Sequence, residues 1–200
     1  MNMPIAHFFV LALTLIIAAC QPVNKAERPK PQLPTTEAIG HFCNMLLDEH
    51  EGPKSQVLRK GDKEPLWFTT VRDGIAYTRL PEESLDVAAV YVTAIDTTPS
   101  FSLAHPETMM ESWISAEWAV YVIGSRLRGG MGAMEAFPFR DVKMATQFTK
   151  IYGGRVIRFS EIPEDYVLGN SETMPAAPDQ HKQDARIHGH QGAMRPQEPN

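Results

Sequence analysis

The sequence of 200 residues contains only two cysteines, Cys20 and Cys43, and has a formal net charge of −5. Nineteen lysines and arginines are outnumbered by 24 aspartates and glutamates. Nucleic-acid binding needs a basic face, so this charge balance excludes nucleic acid as a partner. No acid and base pair, phosphate loop or nucleophile motif stands out, so the chain shows no signature of an enzyme.

The sequence also lacks an apolar run long enough to span a bilayer comfortably. The run at residues 8–19 ends at Cys20, which is typical of a secretory signal peptide at residues 1–19. The residues Ile17-Ala18-Ala19-Cys20 resemble a bacterial lipobox, which implies cleavage before Cys20 and lipid on its sulfur. The alternative is ordinary signal cleavage. Gln21 favours the outer membrane, so we expect a membrane-anchored lipoprotein that faces the periplasm.

Two further segments lack a hydrophobic period. Residues 20–35, which begin at the lipidated Cys20, are rich in proline and predict a flexible tether. Residues 170–200 are polar and predict a disordered tail. The tail is either plain solvated chain or a weak metal collector, because it holds five soft or imidazole donors: Met174, His181, His188, His190 and Met194.

Cys43 is left without a disulfide partner if Cys20 carries lipid. A lone thiol in an oxidising compartment is a liability unless it has a function. If residues 42–47 form a strand, Cys43 and Met45 point to the same face. Two soft sulfur donors suit Cu(I) better than Zn(II), Mg(II) or Ca(II). We therefore interpret this segment as a metal site, with a buried inert cysteine as the alternative.

The hydrophobic pattern of residues 36–169 predicts an α+β fold of two similar ββαβ units packed together. The first unit, residues 36–98, has predicted strands at 42–47, 55–59 and 87–95 and a helix at 70–80. The second unit, residues 99–169, has a predicted loop at 105–110, strands at 112–123, 136–139 and 155–159, and a helix at 141–152. An aromatic residue precedes each helix directly, which indicates a weak internal repeat.

A glycine-rich loop at residues 126–134 holds Met131 between Gly130 and Gly132. The pattern is not GxGxxG and no helix follows it, so phosphate binding is not expected. Glycines allow one backbone to approach another closely. Met131 is therefore either an exposed thioether ligand or a gap filler in a plain turn, and the pattern favours neither.

Several short motifs occur together in this chain. They are the lipobox, Phe42-Cys43-Asn44-Met45, His50-Glu51-Gly52-Pro53-Lys54, the segment from Pro65 to Asp73, Val122-Ile123-Gly124-Ser125, and Gly129-Gly130-Met131-Gly132-Ala133 followed by Pro138-Phe139. Over residues 36–168 this combination resembles NosL, the family of nitrous oxide reductase accessory lipoproteins of denitrifying bacteria. The resemblance implies a fold of two ββαβ halves and a Cu(I) chaperone that works with a membrane transporter complex to supply copper to nitrous oxide reductase.

The resemblance also implies the metal ligands Cys43, Met45 and Met131. The family motif is Cys-Gly-Met, and Asn44 stands here in place of the glycine. Asparagine tolerates left-handed dihedral angles better than most residues, so we expect the ligand pair to be kept with a slightly altered turn.

The histidine ligand is less defined. His50 fits the family position best, and His41 and His105 are alternatives. Two rival functions remain open. One is a periplasmic thiol enzyme in which His41 or His50 activates Cys43. The other is a structural envelope lipoprotein that binds no metal.

Overall fold

The computed structural model describes residues 28–97 and 106–169, with side chains of the second range described from residue 109. Within these ranges the chain forms two small antiparallel sheets. The strands are β1 Ser55–Arg59, β2 Leu66–Phe68, β3 Val87–Thr93, β4 Trp113–Ser115, β5 Val120–Ile123, β6 Phe137–Phe139 and β7 Arg155–Arg158. The α-helices are α1 Val71–Tyr77, α2 Pro106–Ser112, α3 Val142–Tyr152 and α4 Glu164–Leu168.

The first sheet has the strand order β2-β1-β3-β4, and the second has the order β6-β5-β7. In the first sheet Val57 of β1 is paired with Val90 of β3, and Gln56 is paired with Trp67 of β2. In the second sheet Tyr121 lies between Pro138 and Ile157. Each sheet thus has its first strand in the interior, with the next two strands of its ββαβ unit on either side.

The two halves share one hydrophobic core. Strand β5 is buried on both faces: Tyr121 and Ile123 point into the shared core, while Val120 and Val122 pack toward α3. From the first half, Ile75 of α1 and Val92 of β3 enter the same core. Successive strand residues point to opposite faces, so a continuous apolar strand of this kind needs cover on both sides.

The predicted fold class is confirmed. The structure is α+β, and each half has the order ββαβ, β1-β2-α1-β3 and then β5-β6-α3-β7. Both predicted helices form with sequence-encoded N-caps, since the side chains of Thr70 and Asp141 accept hydrogen bonds from the first turns of α1 and α3.

The predicted strand at residues 42–47 is wrong. That segment forms a loop, followed by a 3-10 turn at Leu47–Glu49. The second short strand of the first half is instead Leu66–Phe68, for which no strand was predicted. A strand at 42–47 is ruled out locally because Asn44 has φ 56°, in the left-handed region.

One prediction around residue 110 is also wrong. Residues 105–110 were expected to be a loop, but helix α2 begins at Pro106. Residues 112–123 were expected to be a strand in which an interruption was allowed, and a turn at residues 116–118 separates β4 from β5. Strand β4 pairs with β3 in the first sheet, although it follows the expected boundary at residue 98. The turn contains Glu117, the one charged residue of this segment, so the interruption has a local signal. That the two ends of the segment lie in different sheets has none.

Residues 28–35 were expected to belong to a flexible tether, but they pack against the first sheet. The backbone N–H of Gln32 donates to the side chain of buried Gln56, and Gln56 Nε2 donates back to the Gln32 carbonyl. Tyr91 donates its hydroxyl hydrogen to the carbonyl of Pro29. In the part of the chain that the structure describes, we find no helix with the length and apolarity to cross a membrane.

Candidate metal centre

The candidate site begins with a tight loop at residues 40–45. The backbone N–H of Gly40 donates to the Met45 carbonyl over 2.8 Å, and that of Asn44 donates to the Gly40 carbonyl over 2.8 Å. Asn44 takes φ 56° at the point where the chain reverses. Cys43 and Met45 therefore flank a left-handed residue and do not share a strand face. Asn44 thus has the left-handed conformation that asparagine was expected to tolerate.

The Cys43 thiol faces the end of β2 and the glycine-rich loop. Cys43 Sγ lies 3.4 Å from the hydroxyl oxygen of Thr69. The same hydroxyl donates to the thioether sulfur of Met131 over 3.2 Å. Thus two sulfur atoms separated by 88 positions in sequence both contact one buried hydroxyl group, one from each half of the fold.

Met45 and His50 form a second pair beside the first. His50 Nε2 lies 3.0 Å from Met45 Sδ. Met45 is 40% exposed and Met131 is 37% exposed, so both residues are partly open to solvent. The pair of a thioether with an imidazole is a combination of soft and borderline donors, which suits copper.

His41 is occupied differently from His50. Its ring packs edge-on against the rings of Phe68 and Tyr77, with centroid distances of 5.7 and 5.6 Å. These aromatic contacts hold the imidazole against the first half. His105 and Cys20 lie outside the described residues, as do the histidines and methionines of residues 170–200.

A buried lysine supports the segment that carries His50. Lys54 Nζ donates to the backbone carbonyls of His50 over 2.6 Å, Gly52 over 2.9 Å and Glu51 over 3.3 Å. Burial lowers the pKa of Lys54 from 10.5 to about 8, while the nearby carboxylates of Glu135 and Glu51 oppose that shift. The three carbonyl contacts fix the chain between His50 and the first strand.

A buried glutamate supports the other side of the site. Glu135 accepts hydrogen bonds from the backbone N–H groups of Arg72 over 2.9 Å and Ala136 over 2.8 Å. Burial raises its pKa from 4.5 to about 7, and these backbone donors act in the opposite direction. Glu135 thus ties the end of the glycine-rich loop to the start of α1.

The glycine-rich loop lies directly against the His50 segment. A Cβ atom on Gly130 would lie 2.0 Å from the carbonyl oxygen of Glu51, so only glycine fits here. This contact places Met131 next to the loop that carries Cys43 and Met45. The close approach of two backbones that was expected of the glycine-rich loop is therefore present.

Sequence reasoning did not single out three residues of this site: Lys54, Thr69 and Glu135. Lys54 and Thr69 lie inside motifs that carried the family resemblance, but nothing in the local pattern indicates what their side chains contact. Glu135 carried a usable signal, because it is an isolated acid directly before the apolar segment 136–139. A charge in that setting is expected to need buried partners.

The donor chemistry separates soft from hard metals. Among residues 28–97 and 106–169 there is no group of three or more His, Cys, Asp or Glu side chains able to hold a metal ion. Zn(II) sites are built mainly from such residues. The contacts shown are a thiol with a thioether at Thr69 and a second thioether with an imidazole at Met45 and His50. Donors of these types favour copper over zinc, magnesium or calcium.

Known proteins were compared with the whole chain. The family model NosL matches residues 31–167. A copper-binding lipoprotein NosL from Achromobacter cycloclastes is 38% identical over 164 residues, which is 82% of this chain and 83% of that protein. A protein of the same description from Stutzerimonas stutzeri is 32% identical over 125 residues, 62% of this chain and 61% of the relative.

A solved structure is similar as well. The crystal structure of the copper chaperone NosL from Shewanella denitrificans matches with a TM-score of 0.59 and 30% identity. The match covers 68% of this chain and 98% of that one. The matched family segment contains Cys43, Met45, His50, Thr69 and Met131.

Proposed function

This chain belongs to the NosL family, and from that premise we propose that it is a Cu(I)-binding lipoprotein that delivers copper to maturing nitrous oxide reductase. The observation that carries the proposal is the meeting of the Cys43 thiol and the Met131 thioether at Thr69, beside the pair Met45 and His50. Copper is the cargo of this protein, and the partners are the reductase and its membrane transporter complex.

The proposed ligands are Cys43, Met45, Met131 and His50. Cys43 supplies a thiolate whose proton leaves when copper binds. The thioethers and the imidazole are neutral donors, so the complex of Cu(I) with one thiolate has no net charge. Two of the four donors, Met45 and Met131, are solvent-exposed. A receiving protein is thereby able to add its own ligand before the first set releases the metal.

Anaerobic Cu(I) titration against a chromophoric chelator tests this proposal. The titrated protein is a soluble form that starts at Gln21, so that the thiol of Cys20 does not bind copper in the assay. We expect one tightly held copper per chain, with Cys43→Ser weakening affinity by more than about 100-fold. Met131→Leu weakens affinity too, whereas Met144→Leu, an equally exposed thioether on α3, leaves it unchanged. Equal binding by wild type and Cys43→Ser would contradict the assignment.

We further propose that the protein is not an enzyme. The described hydrogen-bond partners of Cys43 Sγ are a hydroxyl and a backbone carbonyl, and neither can act as a general base. Met45→Leu separates the two functions, because a cysteine enzyme would keep its activity while a copper carrier loses affinity. A purely structural lipoprotein would bind no Cu(I) in either form.

The proposed location is the periplasmic face of a membrane, most consistent with the outer membrane. Residues 1–19 act as the signal peptide and Cys20 carries the lipid. The anchor confines the search for a partner to the membrane surface, which raises the effective concentration. Growth with radiolabelled palmitate should label the wild type and not Cys20→Ser, and fractionation should move the variant to the soluble periplasm.

A further inference from the structure

Thr69 lies between two of the proposed copper ligands, and we propose that it is a positioning residue that holds both sulfur atoms ready for the metal. This inference rests on the proposed function, since it concerns how the same site is built. Thr69 Oγ1 donates to Met131 Sδ and contacts Cys43 Sγ. A hydroxyl has one hydrogen, so donation to Met131 leaves the oxygen to accept from the Cys43 thiol.

The neighbouring Thr70 shows that this is not helix capping. The Thr70 hydroxyl accepts from the backbone N–H of Asp73 over 3.0 Å and so caps α1. Thr69 stands one residue earlier, and its described hydrogen bonds go to the two sulfurs. Adjacent threonines in one motif thus have separate tasks: Thr70 begins the helix and Thr69 faces the site.

The position of Thr69 is rigid. It is 1% exposed and follows directly on β2, whose last residue, Phe68, is paired with Ser55 of the central strand. A hydroxyl fixed in this way has little rotational freedom to lose when it orients a ligand.

The loop carrying Cys43 is shaped to reach this hydroxyl. A Cβ atom on Gly40 would lie 2.6 Å from Cys43 Sγ and 3.0 Å from the Thr69 methyl carbon, Cγ2. The thiol therefore approaches Thr69 in the space left by the missing side chain. In addition, the backbone N–H of His41 donates to the carbonyl of Trp67 over 2.7 Å, which docks the loop on β2.

Met131 depends most on Thr69. Its side chain is long, partly exposed and flanked by glycines, so without an anchor the thioether samples many rotamers. The hydrogen bond from Thr69 selects one of them next to Cys43. Ordering a flexible ligand in advance removes an entropic cost that copper binding would otherwise carry.

Three variants of the full-length chain, purified in detergent, test the role. Thr69→Val keeps the shape and removes the hydroxyl, Thr69→Ser keeps the hydroxyl, and Thr70→Val is the matched control that loses a helix cap. In Cu(I) competition we expect Thr69→Val to weaken affinity about tenfold, which is the lower end for outer-shell partners of metal ligands. Thr69→Ser should keep most of the wild-type Cu(I) affinity. Thr70→Val should lower the melting temperature without a comparable loss of Cu(I) affinity.

A second readout needs no copper. With methionine methyl groups labelled with carbon-13, the Met131 signal of the copper-free protein should become sharper and move toward that of a free methionine in Thr69→Val. It should stay in place in Thr69→Ser and Thr70→Val. Wild-type protein that does not compete for Cu(I) would overturn the proposed function, while the methyl signal would still report whether Thr69 holds Met131. Unchanged affinity and an unchanged methyl signal in Thr69→Val would overturn the positioning role, as would equal copper loss in Thr70→Val.

Discussion

Asn44 shows how a single backbone angle shapes the site. Its φ of 56° turns the chain between Cys43 and Met45. Only glycine adopts this region freely, and asparagine adopts it more readily than other residues with a side chain. Asparagine at this position therefore forms the turn at a small conformational cost.

We expect Asn44→Gly to leave Cu(I) affinity within about threefold of wild type, because glycine meets the same angle without strain. Asn44→Val should destabilise the fold by at least about 1–2 kcal/mol, since a β-branched residue is strained at positive φ. It should also weaken copper binding by moving Cys43. Chemical denaturation and chelator competition measure the two effects, and equal affinity of the two variants would contradict this view of the turn.

Glu135 makes stability depend on pH. Its folded pKa of about 7 lies above the usual 4.5, so between these values the folded chain binds more protons than the unfolded chain. The contribution of protonated Glu135 to the stability of the fold is therefore complete below pH 4.5. It is lost as the pH rises through 7. A shift of this size corresponds to roughly 3 kcal/mol at most.

We expect the unfolding free energy of the copper-free protein to fall by up to about 3 kcal/mol between pH 5 and pH 7.5, relative to Glu135→Gln. The partly buried carboxyl of Asp73 also has a raised pKa, and its charge interacts with Glu135. The profile of Glu135→Gln therefore reports the contribution of Asp73 without that interaction. Lys54 acts above pH 8, where its lowered pKa makes stability rise with pH. Glu49→Gln, at an exposed site, is the control. If the unfolding free energy depended on pH in the same way for wild type and Glu135→Gln, Glu135 would not be the source of this pH dependence.

At the scale of elements, the glycine-rich loop joins the two parts of the candidate site. Gly130 packs against the backbone of Glu51 and so places Met131. Gly132, two residues on, has φ 74° but no neighbouring atom within 4 Å of an added Cβ. The two glycines in one loop are therefore needed for different reasons, close approach and backbone angle.

We expect Gly130→Ala to weaken Cu(I) affinity by about tenfold or more, because its methyl group would push the loop and Met131 away from Glu51. Gly132→Ala should cost about 1–2 kcal/mol of stability through backbone strain but keep Met131 in place. Chelator competition at a temperature where both variants are folded compares them directly. A larger copper loss in Gly132→Ala would show that the contact with Glu51 does not position Met131.

The elements also show where sequence patterns succeed. Helices α1 and α3 were predicted because each has an apolar stripe, with Thr69 or Thr70 as the cap of α1 and Gly153-Gly154 as the stop of α3, and these signals are local. The structure assigns the N-caps to Thr70 and Asp141. Strand β2 was missed because three residues, Leu66–Phe68, are too short to show alternation. The prediction of a strand at 42–47 was wrong because it gave more weight to a weak apolar alternation than to the tendency of Asn44 to form a turn.

At the scale of the molecule, the shared core makes the two halves one cooperative unit. Ile75 of α1 is fully buried in a hydrophobic cluster that also contains Tyr121 and Ile123 of the second half. Helix α4 returns to the first half, since the Arg72 guanidinium donates to the carbonyls of Tyr166 and Gly169. Loss of packing on one side of this core therefore removes cover from both sheets.

We expect Ile75→Ala to destabilise the protein by about 2–5 kcal/mol, the cost of a large cavity in a core. Amide hydrogen exchange should lose protection equally in β1, β3 and β5, because the sheets unfold together. Ile151→Ala on α3, where the side chain is 62% exposed, is the control and should have a small effect. Loss confined to the first sheet would show that the halves are separate units.

The sequence by itself determined the α+β class and the family, because periodicity and short motifs are local. The strands that make up the ββαβ order of the first half were assigned by the structure, since the predicted strand at 42–47 is absent and β2 was not predicted. The sequence also indicated the candidate donors: Cys43 and Met45 by their spacing, and Met131 and His50 through the family resemblance. The tertiary structure alone decided that Met131 meets Cys43 at Thr69, and that Met45 pairs with His50 while His41 packs against aromatic rings. Such contacts join residues far apart in the chain, and their geometry depends on the packing of both halves.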